Sequence, residues 1–101
     1  MILYNVTINV DDDSHDAWLN WMVKEHIPQV IDTGLFQSYR MFKVLSRFDD
    51  ETGTTYSIQY FLKNMGDFEL YQAIYAPALR QQTLDLFGDR FTAFRTVLEE
   101  I

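Results

Sequence analysis

Residues 2–10 alternate without a break, and that alternation constrains the fold more than any other stretch. Ile2, Tyr4, Val6, Ile8 and Val10 share one face, and Leu3, Asn5, Thr7 and Asn9 share the other. Period two with β-branched residues predicts a strand. The apolar face must be covered, and helices are the expected cover. The second face is semi-polar, suited to solvent or a wet cavity.

The cover follows directly. Asp11-Asp-Asp-Ser-His-Asp16 precedes an amphipathic segment, the pattern of a helix N-terminus, with Asp13 or Ser14 as the capping side chain. A calcium loop would need a turn glycine and a closing glutamate, and neither is present. The helix is expected from about Ser14 to Asp32. At 100° per residue, Trp18, Leu19, Met22, Val23, Ile27 and Val30 form one stripe, with His26 near its middle. Trp21 falls outside the stripe and is a candidate for partner contact. Pro28 has no N–H for the carbonyl of Lys24, so a kink or break is expected near His26. Gly34 supplies the stop.

Leu35–Phe48 alternates as one extended segment, long for a strand in so short a chain, so a bulge or an overhang is expected. Asp49-Asp-Glu-Thr-Gly53 is a hairpin turn, and residues 54–62 return as a strand. Asp67 can cap a second helix whose stripe reads Phe68, Tyr71, Ile74, Tyr75, Ala78, Leu79 and Leu86. Pro77 interrupts it and Gly88 ends it. Residues 90–101 form the last strand.

The order β-α-β-β-α-β predicts an α+β, ferredoxin-like fold: one four-stranded antiparallel sheet with two helices on one face, a single domain over residues 1–101. Two helices leave the other sheet face bare. Aromatics make up 16% of the chain, more than so small an interior needs. The expected remedy is a homodimer formed through the uncovered face.

Charge and cysteine usage narrow the partners. Eight basic residues are scattered among fifteen acids, for a net charge of −7. Phosphate backbones need clustered Lys and Arg, so nucleic acid is not an expected partner, nor is an anionic membrane. No cysteine is present, which removes disulfides, thiolate nucleophiles and thiolate metal sites. No apolar run approaches the length of a membrane span, and residues 1–10 read as strand rather than leader, so the cytoplasm is the expected compartment.

Several blocks together resemble a known family. They are Ile2-Leu-Tyr-Asn-Val-Thr-Ile-Asn-Val10, Trp18-x-x-Trp21, His26-Ile-Pro28, Thr33-Gly34-x-Phe36, Tyr56-Ser-Ile-Gln-Tyr60, Ala76-Pro-x-Leu-Arg80 and Phe87-Gly-Asp-Arg-Phe91. Over nearly the full length the chain is similar to a family of short bacterial proteins of unknown function in the dimeric α/β-barrel superfamily. The resemblance implies fold and dimer but not chemistry. The wider superfamily includes cofactor-independent monooxygenases, haem-degrading enzymes, small-molecule isomerases and binding proteins without catalysis.

Six residues are candidates for a site. His26 is a general base, a metal or haem ligand or a ligand-orienting donor, or else a buried histidine donating to a carbonyl freed by Pro28. Asn5 resembles in position a substrate-orienting asparagine of some superfamily monooxygenases, or else is an interface polar residue. Arg40 and Arg95 have mostly apolar or small neighbours at i±2, so each needs a carboxylate, an anionic ligand or an inter-subunit partner. Tyr56 and Tyr60 line a pocket or simply pack. The uncovered side of the sheet, where Asn5 points, is the expected place for a pocket, with His26 retained because a helix break opens a path to it. No nucleophile elbow, phosphate loop or metal-ligand pair is present, so neither cofactor nor metal is expected. A small, partly apolar ligand with cofactor-free monooxygenase- or isomerase-like chemistry is one reading; a non-catalytic structural or regulatory dimer is the other.

Overall fold

A computed structural model describes residues 1–101. Strand β1 (Ile2–Val10) lies at the centre of a four-stranded antiparallel sheet of order β2-β3-β1-β4. Its partners are β3 (Thr54–Leu62) and β4 (Phe91–Glu99), with Val6 opposite Ile58 on one side and Arg95 on the other. Strand β2 (Ser38–Lys43) pairs only with β3 and forms one edge. Burial along β1 alternates strictly, and Ile2, Tyr4, Val6, Ile8 and Val10 are all in the core. Both helices pack over this face, so the expected layering holds. Neither helix is long and apolar enough to cross a membrane.

Each helix has three pieces. Helix α1 comprises α-helical His15–Trp21, a π-helical turn Met22–His26 and α-helical Ile27–Asp32. Helix α2 comprises Met65–Leu70, a π-helical turn Tyr71–Tyr75 and Ala76–Phe87. In both, the π turn ends immediately before an x-Pro pair: Ile27-Pro28 and Ala76-Pro77. The N–H of Ile27 bonds to the carbonyl of Met22, and that of Ala76 to the carbonyl of Tyr71. Proline can neither donate to the carbonyl four residues back nor sit tightly against it. The wider turn relieves both problems, so the expected kink or break takes the form of a helix that continues through one inserted residue.

That insertion changes which side chains are buried. The buried positions of α1 are Trp18, Met22, Ile27 and Val30, and those of α2 are Phe68, Tyr71, Ala76, Leu79, Thr83 and Phe87. The step across each π turn is five residues rather than three or four. Val23 and Leu86, in the stripes expected at 100° per residue, are therefore exposed, as are Tyr75 and Ile74, the last 62% exposed. Trp21 packs within the chain, with its ring 5.5 Å from Phe87 and 5.0 Å from His26.

Three boundaries also differ from the sequence reading. Neither Asp13 nor Ser14 caps α1 through its side chain; a 3-10 turn, Asp12–Ser14, leads into the helix, with the Ser14 N–H bonded to the Asp11 carbonyl at 3.0 Å. Asn64, rather than Asp67, caps α2, accepting the Asp67 N–H at 2.9 Å. Strand β2 stops at Lys43 because β3 begins only at Thr54, leaving residues beyond Val44 nothing to pair with. Leu45 and Phe48 stand in solvent, while Glu51 ties the loop by accepting from the Phe48 N–H and the Thr55 hydroxyl.

The second sheet face is uncovered. Leu3, Asn5, Thr7, Phe61, Gln59, Arg40, Phe42, Phe94 and Leu98 lie on it, and Phe94 is 63% exposed.

Two glycines with positive φ give opposite expectations. At Gly53 (φ +74°) an added Cβ would lie 2.6 Å from the Val10 carbonyl oxygen, whereas at Gly34 (φ +80°) it would meet nothing within 4 Å. Gly34→Ala should cost about 1–2 kcal/mol, the left-handed penalty alone. Gly53→Ala should cost clearly more, because the end of β1 must move. Urea unfolding of both variants gives the order directly, and equal midpoints would contradict it.

Candidate functional site

A cavity of about 320 Å³ lies between the sheet and the two helices, at the lower end of the range of about 300–1,000 Å³ typical of small-molecule sites. Tyr4, Val6 and Ile8 of β1 with Ile58 and Tyr60 of β3 form its floor. Met22, His26 and Val30 of α1 face Tyr71, Leu79, Arg80 and Thr83 of α2, and Phe91, Ala93 and Arg95 of β4 complete one side. Met22 and His26 come from the first π turn and Tyr71 from the second. The proline-forced widening thus aims three side chains at one space.

The polar groups of this cavity are few and unevenly satisfied. The His26 ring nitrogen Nδ1 is buried and has no hydrogen-bond partner. It donates to no carbonyl near Pro28, so the hydrogen bond expected to lock the kink is absent, while the ring packs against Trp21. Such an orphaned atom costs free energy unless something fills the space beside it. Burial, and secondarily the Arg95 guanidinium, push the His26 imidazole down to about 4. It is therefore neutral at neutral pH. Arg80 donates to the Tyr4 hydroxyl at 3.2 Å and to the Gln72 side-chain oxygen. Burial raises the Tyr60 phenol, with the neighbouring Tyr71, Tyr4 and Tyr39 adding to the effect. Tyr71 is raised by burial and by Tyr4, while Arg80 and Arg95 act against this. Tyr60 and Tyr71 are thus neutral hydrogen-bonding groups at neutral pH.

The structure gathers half of the expected site residues. His26, Tyr60 and Arg95 line the cavity. Asn5 and Arg40 lie on the uncovered sheet face, where Asn5 is held by Thr7 (3.1 Å) and Ser57 (2.6 Å). The pocket is therefore on the helix side of the sheet, not on the side to which Asn5 points. Tyr56 is on the helix side but at its far end, with its hydroxyl 2.6 Å from His15 Nε2; His15 Nδ1 in turn lies 2.9 Å from Asp16. Burial and the Asp16 carboxylate raise the Tyr56 phenol, so this trio does not present an activated nucleophile. Tyr4, Tyr71, Arg80 and Thr83 are the lining residues that sequence reasoning missed. Arg80 follows Leu79 in the block Ala76-Pro-x-Leu-Arg80, and only the five-residue step makes Thr83 inward. No three His, Asp or Glu side chains converge as a metal site would require.

A family model described as "Domain of unknown function (DUF4286)" matches residues 1–101. No curated protein matches the chain. Among solved structures the chain is similar to HapK from Hahella chejuensis, with a TM-score of 0.71 and 12% identity over 100% of this chain and 93% of that one. It is similar to an antibiotic biosynthesis monooxygenase, with a TM-score of 0.67 and 11% identity over 100% and 99% of the two chains. It is also similar to a single-site mutant of SnoaB, a cofactor-independent oxygenase from Streptomyces nogalater, with a TM-score of 0.65 and 10% identity over 98% and 91%. Identities this low establish the ferredoxin-like fold and leave the chemistry to the site itself.

The buried histidine gives stability a pH dependence. Its unfolded value is the ordinary 6.5 and its folded value about 4. Between these the unfolded chain holds more protons, so stability is complete above 6.5 and is lost as pH falls toward 4. The loss attributable to His26 should be on the order of 2–3 kcal/mol at pH 4.5. Comparing urea unfolding of the parent and His26→Gln at pH 7 and 4.5 isolates it, since the carboxylates are common to both. Parallel losses in the two proteins would show that His26 is not responsible.

Proposed function

The chain belongs to the family described as Domain of unknown function (DUF4286), and from that premise we propose that each protomer holds one small, partly apolar molecule between its sheet and helices, and that two protomers pair through their uncovered sheet faces. The observation that carries the first part is the cavity itself: mostly apolar walls, with the unpartnered His26 Nδ1 and two guanidinium groups converging on it. A ligand hydroxyl or acidic C–H placed beside His26 finds a neutral acceptor. Passing that proton to the ring leaves the electron pair on the ligand, conjugated into an adjacent carbonyl as an enolate. Proton abstraction of this kind opens both isomerisation and cofactor-free reaction with dioxygen. No metal or organic cofactor is part of this reading, and the cytoplasm is the compartment in which we place the dimer.

A second reading, binding without turnover, is favoured by one observation. The His26 imidazole, at about 4, is a weak base, and the phenols of Tyr60 and Tyr71 are raised rather than activated. Turnover then depends on the ligand raising the basicity of His26 when it binds.

A thermal-shift screen of partly apolar, enolisable molecules tests the cavity. Hits should lose about tenfold or more in affinity with His26→Ala. They should be abolished by Ala93→Phe, which fills the space from the β4 side. Hits indifferent to both substitutions would overturn the proposal. Oxygen uptake or ligand isomerisation by the parent protein separates the enzyme from the binding module.

The dimer has its own test. Asn5 and Arg40 then belong to the subunit interface, together with Phe94 and Leu98. Phe94→Glu, placing a charge on the exposed apolar part of that face along β4, should shift the sedimenting species from dimer to monomer. A parent protein that sediments as a monomer would rule the interface out.

A further inference from the structure

The charge distribution around the cavity identifies the class of molecule it takes. The chain as a whole carries −7, yet the cavity lining contains two arginines and no Asp or Glu. The one histidine–carboxylate contact, His15–Asp16, lies elsewhere, and neither guanidinium meets a carboxylate. Arg80 is half-buried among neutral partners only, the Tyr4 hydroxyl and the Gln72 amide oxygen. Arg95 stands at the cavity edge on β4, its guanidinium making no hydrogen bond within the chain while its field acts on His26. Both cations act on Tyr71 from within the same cavity. For half-buried Arg80, partly desolvated positive charge without a counter-charge is costly, and an anion supplied by a ligand removes that cost; exposed Arg95 adds a second cation at the cavity mouth.

We infer that the bound molecule is an organic monoanion, a delocalised carboxylate or enolate on an apolar body, whose oxygens sit beside Tyr71 within reach of Arg80 and Arg95 while its body lies against Val6, Ile8 and Ile58. This inference rests on the cavity being the ligand site and names what that site selects. A polyanion is disfavoured because the lining is predominantly apolar and offers only two cations. Tyr60 and Tyr71, held as neutral phenols, are further groups able to donate to the oxyanion. His26 remains free to contact the carbon or oxygen next to it.

Matched probes separate charge from shape. 2-Naphthoate and 2-naphthamide have nearly the same outline, and only the first is an anion. 2-Hydroxy-1,4-naphthoquinone, a conjugated enolate at neutral pH, distinguishes an enolate site from a carboxylate site. The parent protein should bind at least one of the two anions about tenfold or more tightly than the amide in calorimetry, the size of a charge-assisted hydrogen bond. Arg95→Gln should remove that preference with little effect on the amide, and Arg95→Lys should keep most of it. Because Arg95 is exposed, these variants should fold. The His26 imidazole, followed by nitrogen NMR, should titrate at a higher pH in the anion complex than in the free protein and stay unmoved by the amide. Equal binding of amide and anions, with His26 signals shifting for all, would overturn the anion inference and leave the cavity reading standing. Failure of every probe to disturb His26 would overturn both.

Discussion

The site depends on two missing hydrogens. Pro28 and Pro77 have no N–H, and their rings crowd the preceding turn. Each helix answers with a π turn that ends in a hydrogen bond from the residue before the proline, Ile27 to Met22 and Ala76 to Tyr71. The turn inserts one residue and rotates everything before it relative to everything after. Met22 and Ile27 therefore both point at the sheet, as do Tyr71 and Ala76. The same rotation brings His26 and Tyr71 to the edge of a shared space. A regular helix would have buried Val23 and Ile74 in the core instead.

What closes below that space is the central strand. Every second residue of β1 is buried, and Tyr4 alone touches the rings of Tyr60, Phe68 and Tyr71. The rings meet at angles of 28° to 56°, with centroids 5.1–6.0 Å apart. They frame a gap and line it with hydroxyl groups. The two arginines then give the gap a positive potential within an acidic chain. Apolar walls, neutral phenols, a neutral imidazole and guanidinium groups without a carboxylate partner are the features on which the proposal of an anion with an apolar body rests. The chemistry available there is set by how far such an anion restores the basicity of His26.

The uncovered face works by different physics. Asn5, Thr7 and Ser57 satisfy one another there, while Phe94, Phe42 and Leu98 remain exposed around them. Polar residues that bond among themselves neither repel a partner nor need one; the exposed rings are the apolar area that the proposed pairing would cover. This division explains why Asn5 and Arg40 read as site residues in sequence and yet lie apart from the cavity. Strand alternation places residues on faces but says nothing about which face encloses a space.

By itself the sequence determined the layers. Strict alternation over residues 2–10, a Gly-containing turn before residue 54, and two amphipathic segments each stopped by glycine left one economical arrangement, and the sheet order follows it. His26, Tyr60 and Arg95, which line the cavity, were legible as candidates because each sits as a polar group among apolar neighbours. Only the tertiary structure decided the rest. The inward stripe of each helix shifts by one residue at the π turn, a response to proline that a fixed 100° period cannot contain. Arg80 and Thr83 became lining residues through that shift. The cavity itself is bounded by side chains from both helices and three strands, a convergence that the order of residues along the chain does not state.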